Sequence, residues 1–289
     1  MKIGAVVIVY HPEDDAIANI KTYYDSVDKI YVFDNTERVI PGFKEKLQQF
    51  PKIVFFHDGS NKGIARRLND AAESAIKDGF DWLLTMDQDT TFSNNAITFY
   101  LQCAQEYAGK EKVAVFGTRY GRKYEESYAK CAAESTDTAI TSGSLLNLAS
   151  FHAIGKFDEN LFIDLVDNEY CIRAAMKGYS IIRFNNIHIV HTIGMLVKRA
   201  AIKTLFLVKK ERQVHSPIRC YYTYRNMLYL EAKYKNDNPA FAAYIRPYAM
   251  GFLKRNIYYA RNAWTIIKYL MVAKRDFLNG KMGKIAQQL

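Results

Sequence analysis

Apolar and polar positions in the first third of the chain switch repeatedly between two periods. Residues 3–9 (Ile-Gly-Ala-Val-Val-Ile-Val) form one unbroken apolar run, as expected of a parallel strand covered on both faces. Ile17, Ile20, Tyr24 and Val27 recur at helical spacing and predict a helix over 14–27. Residues 30–33 predict a second strand ending at Asp34-Asn35, and residues 53–56 a third ending at His57-Asp58-Gly59. Ile64, Leu68, Ala71, Ala72, Ala75 and Ile76 predict an amphipathic helix over 64–77, with Gly79 as its stop. Trp82-Leu83-Leu84 predicts a fourth strand running into Met86-Asp87-Gln88-Asp89-Thr90. This alternation predicts an open α/β sheet with ligands at the carboxyl ends of its strands. Those ends carry Asp34, Asn61 and the pair Asp87/Asp89.

The pattern then changes. Residues 112–117 and 138–146 predict further strands, and residues 157–178 open on an acidic cluster and close as a helix stopped by Gly178. Strands over 180–184 and 187–191 follow, the last ending on His191. Beyond about residue 198 the chain reads as mostly helical and basic. The predicted organisation is a catalytic domain over 1–197 and a helical region over 198–289.

Charge sharpens that boundary. Residues 198–289 hold 19 Lys/Arg and 4 Asp/Glu, whereas residues 1–197 hold 21 and 26, within an overall net charge of +10. The tail thus suits an anionic partner: nucleic acid, anionic lipid or a phosphorylated acceptor. A hydrophobic content of 49% permits a full core. No stretch approaches the roughly 18 uncharged apolar residues of a membrane span, and the N-terminus shows no signal peptide. Cys103, Cys131, Cys171 and Cys220 lie far apart without a C-x-x-C pair, and are expected to be reduced thiols filling core space. The expected location is therefore cytoplasmic.

Asp87 and Asp89 are two positions apart, so they leave a strand on the same face. Such a pair is suited to a divalent cation and a ligand's phosphates or ribose. The chain has no G-x-G-x-x-G or Walker sequence, so neither a dinucleotide enzyme nor a P-loop ATPase is supported. A nucleotidyltransferase would want a Gly-rich basic loop after the first strand, where this chain has Val9-Tyr10-His11-Pro12.

Seven pieces in order carry a resemblance. They are Val-Ile-Val-Tyr-His-Pro (7–12), Phe-Asp-Asn (33–35), Asn-Lys-Gly-Ile-Ala-Arg-Arg-Leu-Asn (61–69), Met-Asp-Gln-Asp (86–89), Thr-Ser-Gly (141–143), the acidic block 157–173, and His191. Together they resemble glycosyltransferase family 2. The Met-Asp-Gln-Asp form and the later Tyr-Tyr-x-x-Arg-Asn (221–226) resemble its bacterial rhamnosyltransferase branch. The resemblance covers about residues 1–230. It implies a GT-A fold, that is, a Rossmann-like, mixed but mostly parallel sheet flanked by helices, here with a basic helical extension. It also implies a nucleotide-sugar donor, a divalent metal (Mg or Mn) and inversion at the anomeric carbon.

The resemblance assigns expected roles. Asp34 accepts the N3–H of uracil or thymine. Asn61 and Gly63, opening a helix, offer backbone N–H groups to the diphosphate, with Arg66 or Arg67 adding charge, and Tyr10 joins the donor side. Asp87 faces the ribose, Asp89 binds the metal and His191 completes the coordination. Ser142 and Gly143 line the donor sugar. The base is expected at Asp167, with Glu169 second and Asp164 third; Val166 replaces a Glu of the family pattern next to Asp167. Tyr222 and Arg225 are expected on the acceptor side.

The tail interleaves Phe252, Lys254, Arg255, Tyr258, Tyr259, Arg261, Trp264, Lys268, Tyr269, Lys274 and Arg275. Basic helices with Trp and Tyr favour a membrane surface; a homodimer contact or a solvated basic face are the alternatives, and no nucleic-acid module is visible. The expected activity is transfer of L-rhamnose from dTDP-β-L-rhamnose to a saccharide acceptor, free or polyprenyl-diphosphate-linked, during surface polysaccharide synthesis. A UDP-hexose or galactofuranose donor, or a non-catalytic sugar-nucleotide-binding scaffold, are the alternatives.

Overall fold

The computed structural model of the chain describes residues 1–93, 95–121, 130–191, 195–200, 209–260 and 262–286. Two compact units share them: Met1–Asp158 with Asp167–Thr192, and Glu159–Val166 with Ile193–Leu289.

In the first unit the apolar run becomes β1 (Ile3–Val9), buried at every position. After it come α1 (Asp14–Tyr24), β2 (Lys29–Asp34), α2 (Phe43–Leu47), β3 (Ile53–His57) and α3 (Gly63–Lys77). β4 (Trp82–Asp87), β5 (Thr90–Phe92), α4 (Ala96–Glu106) and β6 (Val113–Gly121) continue the chain. β7 (Ala133–Ser135), β8 (Ser144–Asn147), α5 (Leu148–Ile154), α6 (Val166–Met176) and β9 (Ser180–His191) complete the unit. The strands form one sheet in the order β3-β2-β1-β4-β8-β6-β9-β5, with β7 on β9. β3, β2, β1 and β4 are parallel, as are β6 and β9, while β8, β5 and β7 pair antiparallel.

The register explains the placement of the acids. β1 lies between β2 and β4, with Val9 opposite Asp34 and Ile8 opposite Asp87. The two carboxylates therefore flank the carboxyl end of the most buried strand, where the strand order reverses and an α/β sheet leaves a crevice. Below this edge, Val7, Val32, Leu84, Phe116 and Phe184 belong to one continuous apolar core with the inner face of α1 (Ile17, Ile20, Tyr23).

Several expectations are corrected. The strand expected over 138–146 is shortened to β8, because Gly143 turns the chain at φ +74° and Thr85 Oγ1 donates to the carbonyls of Thr141 and Ser144. A side chain at 143 would collide, since a Cβ there would lie 2.7 Å from Thr118 Oγ1 and 2.9 Å from Ile189. The strands expected at 180–184 and 187–191 are one strand with a register shift between Phe184 and His188. Cys103 and Cys131 are joined by a disulfide with Cα atoms 5.7 Å apart, not held as free thiols, whereas Cys171 and Cys220 are free and buried. Sequence spacing conceals this pair because α4 and the chain before β7 meet only on folding.

The second unit departs most from its sequence pattern. It begins with an antiparallel hairpin, β10 (Met195–Ala200) and β11 (Lys209–Val214), where helix was expected. Three helices follow: α7 (Pro217–Tyr234), α8 (Pro239–Tyr259) and α9 (Ala263–Leu278). Pro217 and Pro239 sit at helix starts, where a missing N–H costs nothing, and Asn238 caps α8 by accepting from Phe241 N. α7 packs on both α8 and α9, burying Cys220, Tyr221, Tyr222, Leu253, Ile266 and Tyr269. Arg261 of the expected aromatic–cationic tail lies outside the described residues. Among the described residues, no helix is long and apolar enough to cross a membrane.

Alkylation of the denatured, unreduced protein should modify two thiols per chain, rising to four after reduction; four before reduction would refute the bridge. Cys131→Ser should lower the unfolding free energy by about 2–4 kcal/mol in a denaturant titration.

Candidate active site

β5 and β9 pair antiparallel with Thr90 opposite His191, so a residue far down the chain arrives beside the Asp-x-Asp turn. His191 Nδ1 lies 3.2 Å from Asp89 Oδ1, and its Nε2 lies 3.8 Å from Asp87 Oδ2. One ligand atom from each of Asp87, Asp89 and His191 falls within 4.8 Å of the others. Two carboxylates and an imidazole at that separation fit a hard divalent cation of the Mg or Mn type. His191 is largely buried while both acids reach solvent.

A hydroxyl relay holds this cluster. The Asp87 N–H donates to Ser142 Oγ (3.0 Å), Ser142 Oγ donates to Thr90 Oγ1 (2.8 Å), and Thr90 Oγ1 is 2.7 Å from His191 Nδ1. Ser142 and Thr90 are fully buried, so the bond between them is made without competition from water. Ser142, expected to line the sugar pocket, is thus a structural tie to the acidic turn. Thr90 was not anticipated, because a buried threonine at a strand start has no chemical signature in sequence.

Gln88 was also missed. Its side chain accepts from Tyr10 N (2.8 Å) and donates to Tyr10 O (3.2 Å), while its carbonyl accepts from Asn19 Nδ2 (2.8 Å). The residue between the two acids therefore clamps the loop after β1 to the loop after β4. Its carboxamide can do both because it carries an acceptor oxygen and a donor NH2 side by side.

The nucleotide-side candidates converge at the ends of β2 and β3. Asp34 is wholly buried; its Oδ1 accepts from Thr36 N (2.8 Å), and its Oδ2 has no hydrogen-bond partner among the described residues. Asn61 Oδ1 accepts from Gly63 N (3.1 Å), and the Tyr10 phenol hydrogen-bonds Asn61. Burial, followed by the charge of Glu37, raises the Tyr10 pKa. Gly63, at φ +81°, begins α3. Arg66, expected at the phosphates, instead pairs on the exposed side of α3 with Asp70 at 2.8 Å. The buried arginine is Arg67. It donates to Asn35 Oδ1 (2.8 Å), to both oxygens of Asp58 (2.7 and 3.0 Å) and to Ser60 O (3.0 Å). Those bonds hold the Asp58 carboxyl well below the usual carboxylate range. The helical period places 67, not 66, on the inner face of α3.

The three acids proposed for proton transfer are separated by their environments. Glu169 is fully buried and held by Arg173 through two bonds of 2.9 and 2.8 Å. Asp164, in the helical unit, is bound by Arg219 and Thr223. Each of these two carboxylates is thus paired with a guanidinium. Asp167, at the start of α6, has neutral donors among the described residues: Asn168 N at 2.9 Å and Thr141 N at 3.3 Å. Burial lifts its pKa to about 6; the backbone N–H groups pull the other way and Asp87 adds a further rise. Environments that push neighbouring acids apart are how a protein assigns them different tasks.

Tyr222 and Arg225, expected on the acceptor side, are corrected to core residues of the helical unit. Arg225 is fully buried; it donates to Gly283 O (2.8 Å) and Asn160 O (3.3 Å) and lies over the rings of Tyr221 and Tyr222. The Tyr222 hydroxyl accepts from Ile285 N at 3.0 Å. Asn226 donates to the carbonyls of Leu161, Ile163 and Asp164 at 2.8–2.9 Å. Phe162, Asp164 and Leu165 there have positive φ, a conformation costing about 1–3 kcal/mol each. The Arg-Asn pair thus restrains the strained turn immediately before α6.

No protein-family model matches the chain. Its sequence is 26% identical over 253 residues, covering 80% of each chain, to the dTDP-rhamnosyl transferase RfbF of Shigella flexneri. In fold it is similar to GalNAc-T7, solved with UDP, GalNAc and Mn2+ (TM-score 0.51, 10% identity, 66% of this chain and 43% of that one). It is also similar to S. aureus TarS (TM-score 0.51, 14% identity, 67% and 37%). The chain spans less than half the length of either solved structure. Fold and sequence converge on one class, the GT-A glycosyltransferases. Within it, the sequence likeness is to a rhamnosyl transferase.

A carboxyl whose pKa rises on folding from 3.8 to about 6 binds its proton more tightly in the native state. Its contribution to stability is therefore greatest below pH 4 and falls as pH rises through 6, by about 3 kcal/mol in total. Asp167→Asn should remove that dependence and raise stability at pH 7.5 by about 1–3 kcal/mol relative to the parent, read from urea titrations at pH 4.5 and 7.5. A loss of stability at pH 7.5 would show the carboxylate to be a structural anion.

Proposed function

We propose that the chain is an inverting, divalent-metal-dependent glycosyltransferase that moves L-rhamnose from dTDP-β-L-rhamnose to a hydroxyl of a saccharide acceptor. The observation that carries the chemistry is the division of labour among the acids of the first unit. Asp87, Asp89 and His191 form a cation-ligand set, while Asp167 has a pKa near neutrality and no guanidinium partner among its hydrogen bonds.

The steps follow from these groups. Asp34 Oδ2, a buried acceptor left open, suits the N3–H of a thymine or uracil ring and disfavours cytosine, which lacks that hydrogen. Asn61 and Gly63 at the start of α3 present N–H groups and the positive helix end to a diphosphate. Asp89 and His191, with an Asp87 oxygen within 4.8 Å of their ligand atoms, would hold a Mg or Mn ion. That ion, when bound, supplies positive charge to the departing nucleoside diphosphate. Asp167 takes the proton of the acceptor hydroxyl as its oxygen bonds to C1 of the sugar and the C1–O bond to the diphosphate breaks on the opposite face. A β-linked donor then gives an α-linked product. The rhamnosyl donor rests on the sequence likeness to RfbF, because Asp34 alone does not separate dTDP from UDP.

A thermal-shift panel of dTDP- and UDP-sugars with Mn2+ or Mg2+ should rank dTDP-rhamnose first. Saturation at a hundredfold over Kd stabilises by about 2.7 kcal/mol, and no shift with any such ligand would overturn the reading. Asp89→Ala should lower metal-dependent release of dTDP at least about a hundredfold with the fold intact. Transfer should rise with pH through an apparent pKa near 6 as Asp167 deprotonates, and Asp167→Asn should bind donor but not transfer. Unchanged transfer in that variant would remove Asp167 from the chemistry.

A further inference from the structure

Helix α9 has two distinct faces. Ile266, Tyr269, Ala273 and Asp276 are buried. On the other side, Trp264, Lys268, Met271, Arg275 and Leu278 recur at intervals of four and three residues and form a single stripe, all of it exposed. Trp264 keeps 79% of its surface in solvent, Met271 61% and Leu278 70%. Apolar and cationic side chains alternate strictly along this stripe. α8 carries a related one: Tyr244, Tyr248, Arg255 and Tyr258 are exposed in one register, with the first two rings stacked at 5.8 Å.

Single exposed apolar residues need no explanation, but large ones aligned in one register do. The charge around them is one-sided. From Pro239 onward the sequence contains one acidic residue, Asp276. It is buried, accepting from Tyr221 Oη at 2.9 Å with Arg275 at 3.5 Å. The exposed positions of α8 and α9 therefore present Arg246, Lys254, Arg255, Lys268, Lys274 and Arg275 with no acidic side chain among them, Arg246 alone being paired with Glu231 of α7.

We propose that the α9 stripe is a docking face for an anionic lipid surface, with the helix lying flat and Trp264, Met271 and Leu278 inserted at headgroup level. Lys268 and Arg275 stand between them, where phosphate groups meet their charge. From 264 to 278 the stripe runs roughly 21 Å, at 1.5 Å per residue. The occupant follows from the alternation. A second copy docked face to face would set Lys268 and Arg275 against their own equivalents, a like-charge contact. A nucleic-acid backbone would meet the cations but offer nothing to Met271 and Leu278. This inference is independent of the proposed sugar chemistry.

The chain reports on the idea itself, because its two tryptophans are Trp82, buried, and Trp264. Vesicles of phosphatidylcholine containing phosphatidylglycerol should blue-shift the emission of the full chain, and brominated lipid should quench it. Vesicles of phosphatidylcholine alone should bind far less. Each cation near an anionic surface contributes about fivefold in partitioning, so K268E/R275E should weaken binding about twentyfold or more, and high salt should do the same. Met271→Ser with Leu278→Ser should also release the protein from vesicles. Both variants should keep the parent's thermal midpoint and its release of dTDP with a water-soluble acceptor, which separates failure of docking from failure of the enzyme. Absence of the blue shift, equal binding to neutral vesicles, or undiminished binding by K268E/R275E would overturn the proposal. So would a concentration-dependent blue shift without vesicles, which would assign the stripe to a second copy, or one produced by duplex DNA alone.

Discussion

The cost of holding carboxylates at the edge of a dry sheet governs the first unit. Asp34 and Asp87 stand on either side of the carboxyl end of β1, a strand with every residue buried. Charges in that position are unfavourable unless hydrogen bonds, cations or a raised pKa offset them. The acids near the site are answered in three ways. Asp58 and Glu169 have guanidinium partners, Asp34 a backbone N–H, and Asp167 an elevated pKa. The arrangement of charge therefore follows from which offset each acid receives.

That distinction separates architecture from chemistry. Arg67 fixes Asn35 and Asp58 together, and Arg173 ties Glu169 to the carbonyls of Ile154 and Gly155. The second pair, with Glu169 fully buried, loses much more when one partner is removed than it contributes as a pair. Gln88, Ser142 and Thr90 do comparable work with neutral groups, orienting the Asp-x-Asp turn and His191 as outer partners of a metal ligand set commonly do.

In the helical unit the same residue types serve another purpose. Arg225 is enclosed between two tyrosine rings, and Asn226 collects three carbonyls of a turn with positive φ. These interactions offset local strain and hold fixed the four residues that lead into α6. The basic character of the tail is left to the solvent faces of α8 and α9, where Glu231 of α7 pairs with Arg246 and the buried Asp276 lies 3.5 Å from Arg275, and the other exposed positions of the two helices carry no acid.

Much of this was legible in sequence, and the reason is periodicity. β1 to β4 and α3 each repeat at a period set by their own backbone, and a strand end followed by Asp is a local signal; Asp34, Asp87 and Asp89 were found that way, while the choice of His191 and Asp167 came from family resemblance. What only tertiary structure decided was every assignment that depends on a partner distant along the chain. The period of α3 does not tell that Arg67 would face Asp58; the acidic block points to Arg173 as its tie, but not that Arg173 would take Glu169, Arg219 would take Asp164 and Asp167 would be left to neutral donors. The disulfide, the hairpin at 195–214 and the burial of Arg225 belong to the same group. Local pattern sets which way a side chain faces from its own element; the charge state and task of that side chain are set by whatever the folded chain brings opposite it.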